Sequence, residues 1–512
     1  MHHFDGVLEL SQLEDHLAAP RGRGRLRDAP HSATAGGAQC GDLIRIAVEL
    51  DGGRVARAGF DASGCAAARA AGSAVVELVR GAPLLDAARL TPAAVAGALG
   101  GLSPERAHAA ELAADALHRA LGSAAAALDP PLASGAGPSR TLVAMSGGVD
   151  SAVAAHLAQE RGDDVVAVTL ELWSDPAGDG RRSCCSPQAV TGARALAHRM
   201  GLPHLTLDLS AAFRRRVVDD FVAEHAGGRT PNPCVRCNGL VRFDAMVALA
   251  DRLGAARLAT GHYARIARDR RGPLVARASD PAKDQSYMLA RLAPELLDRL
   301  DFPLAGLAKP RVRAIARRAG LPVADRPESQ DLCFLAGTNG AAFLRRHGGP
   351  AGRSGEVVDE SGRVLGAHDG QHRFTVGQRR GIRVSAAEPL YVLRKDPARN
   401  RVVVGPRAAL ATRAVGVAGA TLHRDGGEVD RVKLRYRAEP VRCRIVGDPP
   451  AGRHARLELA LERPVDGVAP GQLACLMRSD EVVGWATICV HPTTAAEPAA
   501  VPPTTSEVAV AS

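Results

Sequence analysis

The sequence predicts a multidomain protein: an α+β domain first, then a doubly wound α/β domain, a small β domain and a C-terminal β-barrel. With 512 residues the chain is too long for a single hydrophobic core. Strand and helix patterns alternate from Thr141 onward, which is typical of a parallel sheet covered by helices. After about residue 350 the helical periodicity ends, and short strands with Gly and Asp turns continue to about residue 490, as in small barrels.

Composition and periodicity place the domain boundaries. "DLIRIAVELDGGRVARAGFDA" alternates around a DGG turn and predicts a hairpin, and helical periodicity follows from Ala66 to Val79 and from Pro104 to Leu121. The Pro-, Gly- and Ser-rich stretch "LDPPLASGAGPSR" predicts a linker. We expect an N-terminal domain over 1–128, the linker over 129–140, the α/β domain over 141–347, a central β domain over 348–410, the barrel over 411–493 and a disordered tail over 494–512.

Net charge and hydropathy limit the classes of ligand and partner that the protein is expected to have. The chain carries a net charge of +10, which favours polyanions such as nucleic acid. Nearly all of the positive charge is arginine; only four lysines occur, and Lys283 lies within "KDQS", so we expect a specific role for it. No apolar stretch approaches the roughly 20 residues of a membrane helix, and the N-terminus lacks a signal-peptide pattern. We therefore expect a cytoplasmic protein with no membrane partner.

A phosphate-binding loop is predicted at "AMSGGVDSAVAAHL". A Gly-Gly turn follows a buried strand and precedes a helix, so backbone N–H groups and the helix N-terminus converge on an anion. No lysine follows the glycines, which excludes a Walker A loop. The motif SGGVDS resembles the pyrophosphate loop of the PP-loop ATPases, which implies cleavage of ATP to AMP and pyrophosphate with Mg²⁺ oriented by Asp150. The resemblance implies ATP contacts from Ala144, Met145, Ser146, Gly147, Gly148, Val149, Asp150 and Ser151, with Leu170 and Gly261 on the adenine side.

The cysteines indicate what the activated group reacts with. Adenylation turns a urea-like carbonyl oxygen into a good leaving group, and a thiolate can carry the sulfur that replaces it. The motifs "MSGGVDS", "GRTPNPCVRCN", "ATGHYAR", "KDQSYML", "LCFL", "GQRRGI" and "RYR" occur in this order and resemble the tRNA-specific 2-thiouridylases, the MnmA family. The resemblance implies that Cys237 is the nucleophile and Cys333 the persulfide carrier. It also implies tRNA contacts from Asn232, Pro233, His262, Lys283, Asp284, Gln285, Arg435, Tyr436 and Gln472.

Cys234 departs from the two-cysteine pattern of that family, in which an aspartate stands at this position. Cys234, Cys237 and Cys333 provide three thiolates, enough to hold a 4Fe-4S cluster with one iron open to a sulfide ligand. Two alternatives remain open from the residues. A persulfide relay would use only Cys237 and Cys333, and a zinc site would need a fourth ligand that the nearby sequence does not offer.

The N-terminal domain contains the stretches "LEDHLAAPRGRGRLRDA", "AQCGDLIRI", "FDASGCAAARAAGSAVVELVRG" and "ERAHAAELAADAL". These stretches resemble the IscU/NifU scaffolds that assemble iron-sulfur clusters. The resemblance implies an iron or zinc site at Cys40, Asp42, Cys65 and His108, while Ala109 stands where the family has a further cysteine. The alternative is a degenerate scaffold that serves only for docking. Tethering a donor to a sulfur-using enzyme would raise its local concentration to roughly millimolar.

The sequence therefore predicts an ATP-dependent transferase that introduces sulfur at C2 of the wobble uridine, U34, of tRNA. A sulfur donor such as a cysteine desulfurase or a sulfur relay protein is the further partner we expect. The alternatives are another AMP-forming PP-loop ligase, which would have no use for the three cysteines, and a non-enzymatic iron-sulfur carrier that retains a nucleotide loop.

Overall fold

The fold is taken from a computed structural model of the chain. It describes residues 11–24, 26, 28–37, 41–133, 137–173, 186–327, 332–335, 338–350 and 352–489. Cys40, one of the predicted scaffold ligands, lies outside these residues, as does the predicted tail.

The N-terminal part is an α+β unit, as predicted. Its strands form an antiparallel sheet in the order β1-β2-β3, and the predicted hairpin turns at Gly52 and Gly53, whose positive φ angles of 52° and 78° suit the tight turn. The predicted second helix begins later and ends later than expected, because buried alanines extend it to Ala126. The elements are α1 (Gln12–Ala18), β1 (Ser32–Gly36), β2 (Leu43–Asp51), β3 (Arg54–Ser63), α2 (Ala66–Val79), α3 (Leu84–Ala87), α4 (Pro92–Ala98) and α5 (Ala107–Ala126).

A five-stranded parallel sheet follows, with strand order β10-β7-β4-β5-β6, which confirms the doubly wound prediction. The strands are buried on both faces, as in parallel sheets generally. The elements are β4 (Arg140–Ala144), α6 (Val149–Glu160), β5 (Asp164–Glu171), α7 (Pro187–Arg199), β6 (His204–Asp208), α8 (Ser210–Phe213), α9 (Asp219–Ala226), α10 (Pro233–Cys237), α11 (Phe243–Arg252), β7 (Arg257–Thr260), β8 (Arg265–Asp269), β9 (Gly272–Ala276), α12 (Pro294–Leu297), β10 (Leu300–Asp301), α13 (Lys309–Arg318) and α14 (Gly340–Arg346).

Two longer helical runs contain a π-helical turn. Arg214–Val218 joins α8 to α9, and Asn238–Arg242 joins α10 to α11. Such turns widen a helix by one residue and often occur near functional positions. The second one directly follows Cys237.

The C-terminal part is all β, as predicted. A mixed four-stranded sheet in the order β12-β11-β14-β13 precedes a barrel in which β15 pairs with both β18 and β20 and so closes six strands. The β8–β9 hairpin joins the barrel at β20, which links the barrel to the α/β domain. The strands are β11 (Gly355–Val358), β12 (Val364–His368), β13 (Tyr391–Asp396), β14 (Arg401–Gly405), β15 (Ala411–Leu422), β16 (Arg431–Lys433), β17 (Val441–Ile445), β18 (Gly452–Asp466), β19 (Leu473–Arg478) and β20 (Glu481–Ile488).

The N-terminal unit packs directly on the parallel sheet. One sheet face is covered by α6, α7 and α13, and the other by α11 together with α5, whose Leu117 and Leu121 share a core with Leu205 and Leu207 of β6. Gly122 of α5 lies so close to β6 that a Cβ there would be 1.9 Å from a backbone oxygen of the strand. Because both faces of a parallel sheet must be covered, α5 serves as a helix of the α/β domain.

Polar contacts reinforce this interface. Arg194 of α7, which is 2% exposed, donates to Asp115 of α5 at 2.6 Å. Asp115 also accepts from Arg119, which in turn pairs with Glu171. Burial opposes the charge on Asp115, but the two arginines outweigh it and lower its pKa. The interface is thus a charged network set into a shared apolar core.

The predicted linker over 129–140 is anchored at its first half. Leu128 is buried, and the amide of Leu132 donates to the carbonyl of Arg252 at 2.9 Å. These contacts tie the first part of the predicted linker to the end of α11.

Candidate nucleotide and sulfur-transfer site

The loop between β4 and α6 has the geometry of an anion cradle. Gly147 takes a positive φ of 73°, and Gly148 caps α6. The hydroxyl of Ser151 accepts from the amide of Ser146 at 3.1 Å and lies 3.3 Å from its hydroxyl, so both serines face one point. Gly261 closes the other side, where a Cβ would lie 2.7 Å from the backbone of Asp150. Only glycine fits there.

This loop opens into a cleft of about 890 Å³, within the usual size of a small-molecule site. The cleft is lined by residues of the α/β domain and by the segment 433–439 of the barrel. Every predicted ATP contact lines it: Ala144, Met145, Ser146, Gly147, Gly148, Val149, Asp150, Ser151, Leu170 and Gly261. Of the predicted tRNA contacts, His262, Lys283, Asp284, Gln285 and Tyr436 line it as well.

The charges around Asp150 involve residues that sequence reasoning missed. The Lys309 ammonium lies 2.7 Å from both carboxylate oxygens of Asp150, and the Tyr263 hydroxyl donates to the same carboxylate at 2.7 Å. Arg326 donates to the carbonyl of Gly147 at 3.0 Å. The scarcity of lysine was the signal that could have singled out Lys309. Its partner lies 159 residues away in the chain, which no local pattern reveals.

Asp284 of the KDQS motif joins the barrel to the α/β domain. It is 4% exposed, and Lys433 of β16, itself 4% exposed, approaches its carboxylate at 3.2 Å. Ser286 donates to the same carboxylate at 2.9 Å. Gln285 accepts from the amide of Tyr263 at 2.9 Å. These contacts hold the barrel segment over the cleft, and a contact of Asp284 with tRNA stays a prediction.

Four of the residues predicted to contact tRNA make specific contacts within the protein. The ring of His262 lies 2.8 Å from Thr260 Oγ1, and burial lowers its pKa to about 3, so it is neutral at physiological pH. Arg435 is exposed, and its guanidinium donates to the Gly467 carbonyl. Gln472 donates to Thr230 at 2.8 Å. Tyr436 is half-buried, with its ring 6.3 Å from that of Tyr287.

The motif "TPNPCVRCN" begins a helix. Asn232 is the N-cap, and its side-chain oxygen accepts from the amides of Cys234 and Val235 at 3.2 Å each; Pro233 follows at the first helical position. Cys234 and Cys237 are three residues apart, so they share a helix face. Cys237 is 6% exposed, and Cys234 is half-buried.

The cysteine helix leads to the cleft. Arg242 and Met246, on the same helical run, line the cleft, whereas the described lining includes neither Cys234 nor Cys237. Cys237 lies five residues before Arg242, and the π-helical turn Asn238–Arg242 separates them. Cys237 therefore lies about one π-helical turn from the wall of the nucleotide cleft.

Cys333 is held by its neighbour Phe334. Phe334 is 3% exposed and packs against Phe213, Phe221 and Phe343, with ring centroids 5.9, 5.2 and 5.0 Å away. Trp173 joins the same group. Four of the nine phenylalanines and one of the two tryptophans gather here. We call Trp173, Phe213, Phe221, Phe334 and Phe343 the aromatic cluster.

The aromatic cluster and the cysteine helix meet on the same helical run. Arg236 lies 3.2 Å from Asp220 and donates to the carbonyl of Arg216 at 2.6 Å. Phe221, the neighbour of Asp220, carries the contact with Phe334. Both thiol segments thus pack on residues 214–226. Within the part of the chain that the structure describes, the three thiols are not gathered within 4.8 Å of one another.

One compact group of metal-ligand side chains does occur in the described residues: Asp42, Cys65 and His108. Asp42 Oδ2 lies 3.0 Å from Cys65 Sγ and 2.8 Å from His108 Nε2. The hydrogen bond from Cys65 is the largest influence that lowers the Asp42 pKa, whereas burial and the nearby carboxylate raise the pKa of the Cys65 thiol. Gly64 is required beside them, because a Cβ would lie 2.0 Å from Asp42 Oδ1. Three of the four predicted scaffold ligands therefore converge.

A curated relative covers both halves of the chain. The bifunctional protein NifU/MnmA of Rubrobacter xylanophilus is 46% identical over 486 residues, which is 93% of this chain and 97% of the relative. This chain belongs to the bifunctional NifU/MnmA family. The tRNA-specific 2-thiouridylases MnmA of Zymomonas mobilis and Methylorubrum extorquens are 44% and 45% identical over 348 and 362 residues, covering 67% and 68% of this chain and 92% and 93% of the relatives.

Four family models divide this NifU/MnmA chain. They are described as a NifU-like N-terminal domain over residues 9–126, a tRNA methyl transferase HUP domain over 139–337, a tRNA methyl transferase PRC-barrel domain over 341–406 and an aminomethyltransferase β-barrel domain over 423–488. The MnmA relatives align with about two thirds of the chain, so the NifU-like part is what distinguishes the bifunctional form. None of the helices in the described part combines the length and apolar character needed to cross a bilayer.

Proposed function

We propose that this chain is an ATP-dependent tRNA 2-thiouridylase that introduces sulfur at C2 of the wobble uridine, with a NifU-like domain fixed to its catalytic domain. The observation that carries the proposal is the single cleft that unites the phosphate loop with five of the predicted tRNA positions. The names of the MnmA relatives agree with it.

The activation step follows from the loop. The uridine O2 attacks the α-phosphorus of ATP, pyrophosphate leaves, and the base carries an AMP ester at C2. Ser146, Ser151 and the glycine backbone hold phosphate oxygens, and a preorganised cradle lowers the barrier because it need not reorganise as charge develops. Asp150 is the carboxylate that fits Mg²⁺ borne by the nucleotide, since Mg²⁺ is bound through carboxylates and phosphates together.

In a persulfide relay, the sulfur step uses Cys333 and Cys237. The terminal sulfur of a Cys333 persulfide attacks C2, and AMP leaves. The Cys237 thiolate then attacks the Cys333 sulfur, which leaves sulfur on the base and forms a Cys237–Cys333 disulfide that an external thiol must reduce. The source of the persulfide sulfur is a donor such as a cysteine desulfurase or a relay protein.

The donor set also fits an iron-sulfur cluster. Cys234, Cys237 and Cys333 would hold it, and its open iron would supply a site for sulfide. Sulfur atoms around a single zinc ion lie about 3.8 Å apart, given Zn–S bonds of about 2.3 Å. Among the residues that the structure describes, the three thiols are not gathered within 4.8 Å of one another, which disfavours zinc. A larger cluster would not require the three thiols of Cys234, Cys237 and Cys333 to surround a single metal ion. Cys234 shares a helix face with Cys237 and would have no role in the relay, and this third thiol favours the cluster.

The NifU-like domain contributes a second site. Asp42, Cys65 and His108, with Cys40, are the residues that would hold iron or zinc there. Ala109 is fully buried at the position of the missing family cysteine. We propose a single-metal or docking role for this domain rather than assembly of a complete cluster.

The test of the reaction is direct. The protein is incubated anaerobically with ATP, a sulfide source and tRNA, and the digested tRNA is analysed for 2-thiouridine. The 2-thiouridine product, with tRNA-dependent release of pyrophosphate, is expected. Pyrophosphate release that needs a small metabolite instead of tRNA would indicate another PP-loop ligase. Methylated uridine would favour the methyl transferase of the family-model description, and no nucleotide turnover would favour an iron-sulfur carrier.

The cluster is tested separately. Cys234→Ala should abolish both the broad visible absorbance of the anaerobic protein and thiolation, because the relay alone has no use for this thiol. Cys443→Ala, in the barrel, is the matched control and should retain both. Thiolation that survives Cys234→Ala at the normal rate would establish the two-cysteine relay.

A further inference from the structure

The chain retains lysine almost only at the nucleotide cleft. Four lysines occur in 512 residues that are rich in arginine, and three of them, Lys283, Lys309 and Lys433, line the cleft. Lysine presents a compact charge with three donors on a flexible stem, whereas arginine presents a planar fork. A preference for the compact cation at one place indicates a geometric demand there.

Lys309 occupies the position closest to the phosphate loop. Its ammonium lies 2.7 Å from both oxygens of Asp150, the acidic residue of SGGVDS, and Lys309 is 8% exposed. Its backbone amide donates to the carboxylate of Asp280 at 3.0 Å, which fixes the start of α13. The side chain is therefore aimed from a rigid helix start into the loop.

The loop itself brings no cation. No lysine follows its glycines, so it lacks the residue that neutralises phosphates in Walker A loops. The described lining of the cleft contains six basic and three acidic side chains. Asp284, one of the acids, is occupied by Lys433. The excess of basic over acidic side chains suits a polyphosphate ligand. Lys309 is the cation that already contacts the acidic residue of the loop, Asp150.

We propose that Lys309 is the residue that binds the phosphate chain of ATP in this loop and that Asp150 holds it there before nucleotide arrives. When ATP and its Mg²⁺ enter, the carboxylate turns to the metal ion and the ammonium to a phosphate oxygen, so each charge exchanges its partner within the same small volume. The Tyr263 hydroxyl, 2.7 Å from Asp150 Oδ1, keeps the carboxylate oriented during the exchange. This inference rests on the proposed function only in taking ATP as the nucleotide.

The experiment measures binding of ATP with Mg²⁺, and of adenosine, to the full chain by calorimetry. Lys309→Met should weaken ATP binding by about 10- to 100-fold, the range for one charge-assisted hydrogen bond. It should leave adenosine binding within about twofold, which also shows that the variant is folded. Lys309→Arg should be intermediate, because the charge stays and the geometry changes. Arg311→Met removes an exposed charge from the same helix and should leave both affinities unchanged.

A purely structural role is distinguished by a double variant. If Lys309 served only to pair with Asp150, Lys309→Met would have no further effect on ATP binding in an Asp150→Asn background. We expect a further loss of about tenfold there, because the phosphate contact is lost independently. Unchanged ATP affinity in Lys309→Met, or equal loss of ATP and adenosine, overturns the inference. If Lys309 governs ATP affinity but tRNA is not thiolated, the proposed reaction fails and this inference stands. Failure of the unaltered protein to bind ATP would overturn both.

Discussion

At the scale of single residues, Asn232 fixes the orientation of the helix start that carries Cys234 and Cys237. Its side-chain oxygen accepts from two amides at the start of α10, one of them that of Cys234. The cap fixes the first turn, and the first turn fixes the direction in which both thiols point. Asn232, which was predicted only to contact tRNA, therefore has a structural role as well.

We expect Asn232→Ala to lower the free energy of unfolding by about 1 kcal/mol, the usual cost of a lost N-cap. Sulfur transfer should fall at the same time, because the first turn of the cysteine helix frays. Asn232→Asp retains the acceptor and should recover the stability. Denaturant titration and the thiolation assay provide the two measurements.

Thr91→Ala provides the comparison. Thr91 caps α4 in the NifU-like domain, with its hydroxyl accepting from the Ala94 amide at 3.1 Å. A similar loss of stability with normal thiolation is expected for Thr91→Ala. If both alanine variants reduce thiolation equally, the effect of Asn232 is one of general stability and not of thiol placement.

At the scale of elements, the aromatic cluster positions the second thiol segment. Phe334 places one buried ring among three others, next to Cys333. Edge-to-face and tilted ring pairs of this kind add about 0.5 to 1.5 kcal/mol each beyond their area. Such an anchor explains how a segment almost a hundred residues from Cys237 keeps a defined position on the shared support.

We expect Phe334→Ala to slow sulfur transfer at least about tenfold while ATP affinity stays within about twofold, because the substitution frees the segment from the cluster without touching the cleft. Alkylation of Cys333 should become faster. Phe374→Ala is the control, because Phe374 is 6% exposed in the central β domain. Each of the two variants should lower the free energy of unfolding by about 3 to 5 kcal/mol, but Phe374→Ala should spare thiolation. Normal thiolation in Phe334→Ala would show that the cluster is not needed to place Cys333.

At the scale of the whole molecule, the NifU-like domain is docked and not merely tethered. A flexible tether would act through effective concentration. Here α5 shares a core with β5 and β6, and the buried Arg194 pairs with the largely buried Asp115 across the interface. A domain held in this way keeps its Asp42–Cys65–His108 site in a fixed orientation relative to the catalytic domain. Any transfer of sulfur or metal from that site to the thiol segments would then require either that the site faces them or that a separate carrier protein moves the group.

The two parts should therefore unfold together. We expect calorimetry to show one transition for the NifU-like and α/β domains. Arg194→Met should lower their common stability by up to about 3 kcal/mol, because the largely buried Asp115 loses one of its two arginine partners. Adding Asp115→Leu should restore part of the loss. Two well-separated transitions, or an Arg194→Met effect confined to one of them, would show that the domains are thermodynamically independent.

Much of this organisation could be predicted from local pattern. Strand and helix periodicity predicted the parallel sheet, the N-terminal hairpin and the barrel, since burial on one or two faces imposes a period on the sequence. SGGVDS identified the loop, because a phosphate cradle needs its glycines and serines adjacent in the chain. Three scaffold ligands, Asp42, Cys65 and His108, also followed from motifs and converge in space.

What the sequence alone determined is thus the set of elements and the motifs whose residues are neighbours in the chain. Only the tertiary structure decided which distant side chains meet: Lys309 at Asp150, Lys433 at Asp284, and α5 on the sheet of another domain. The physical reason is that periodicity and spacing record local constraints on the backbone. A charge pair or a shared core between segments far apart is set by packing of the whole chain, and it leaves no repeating trace in either segment.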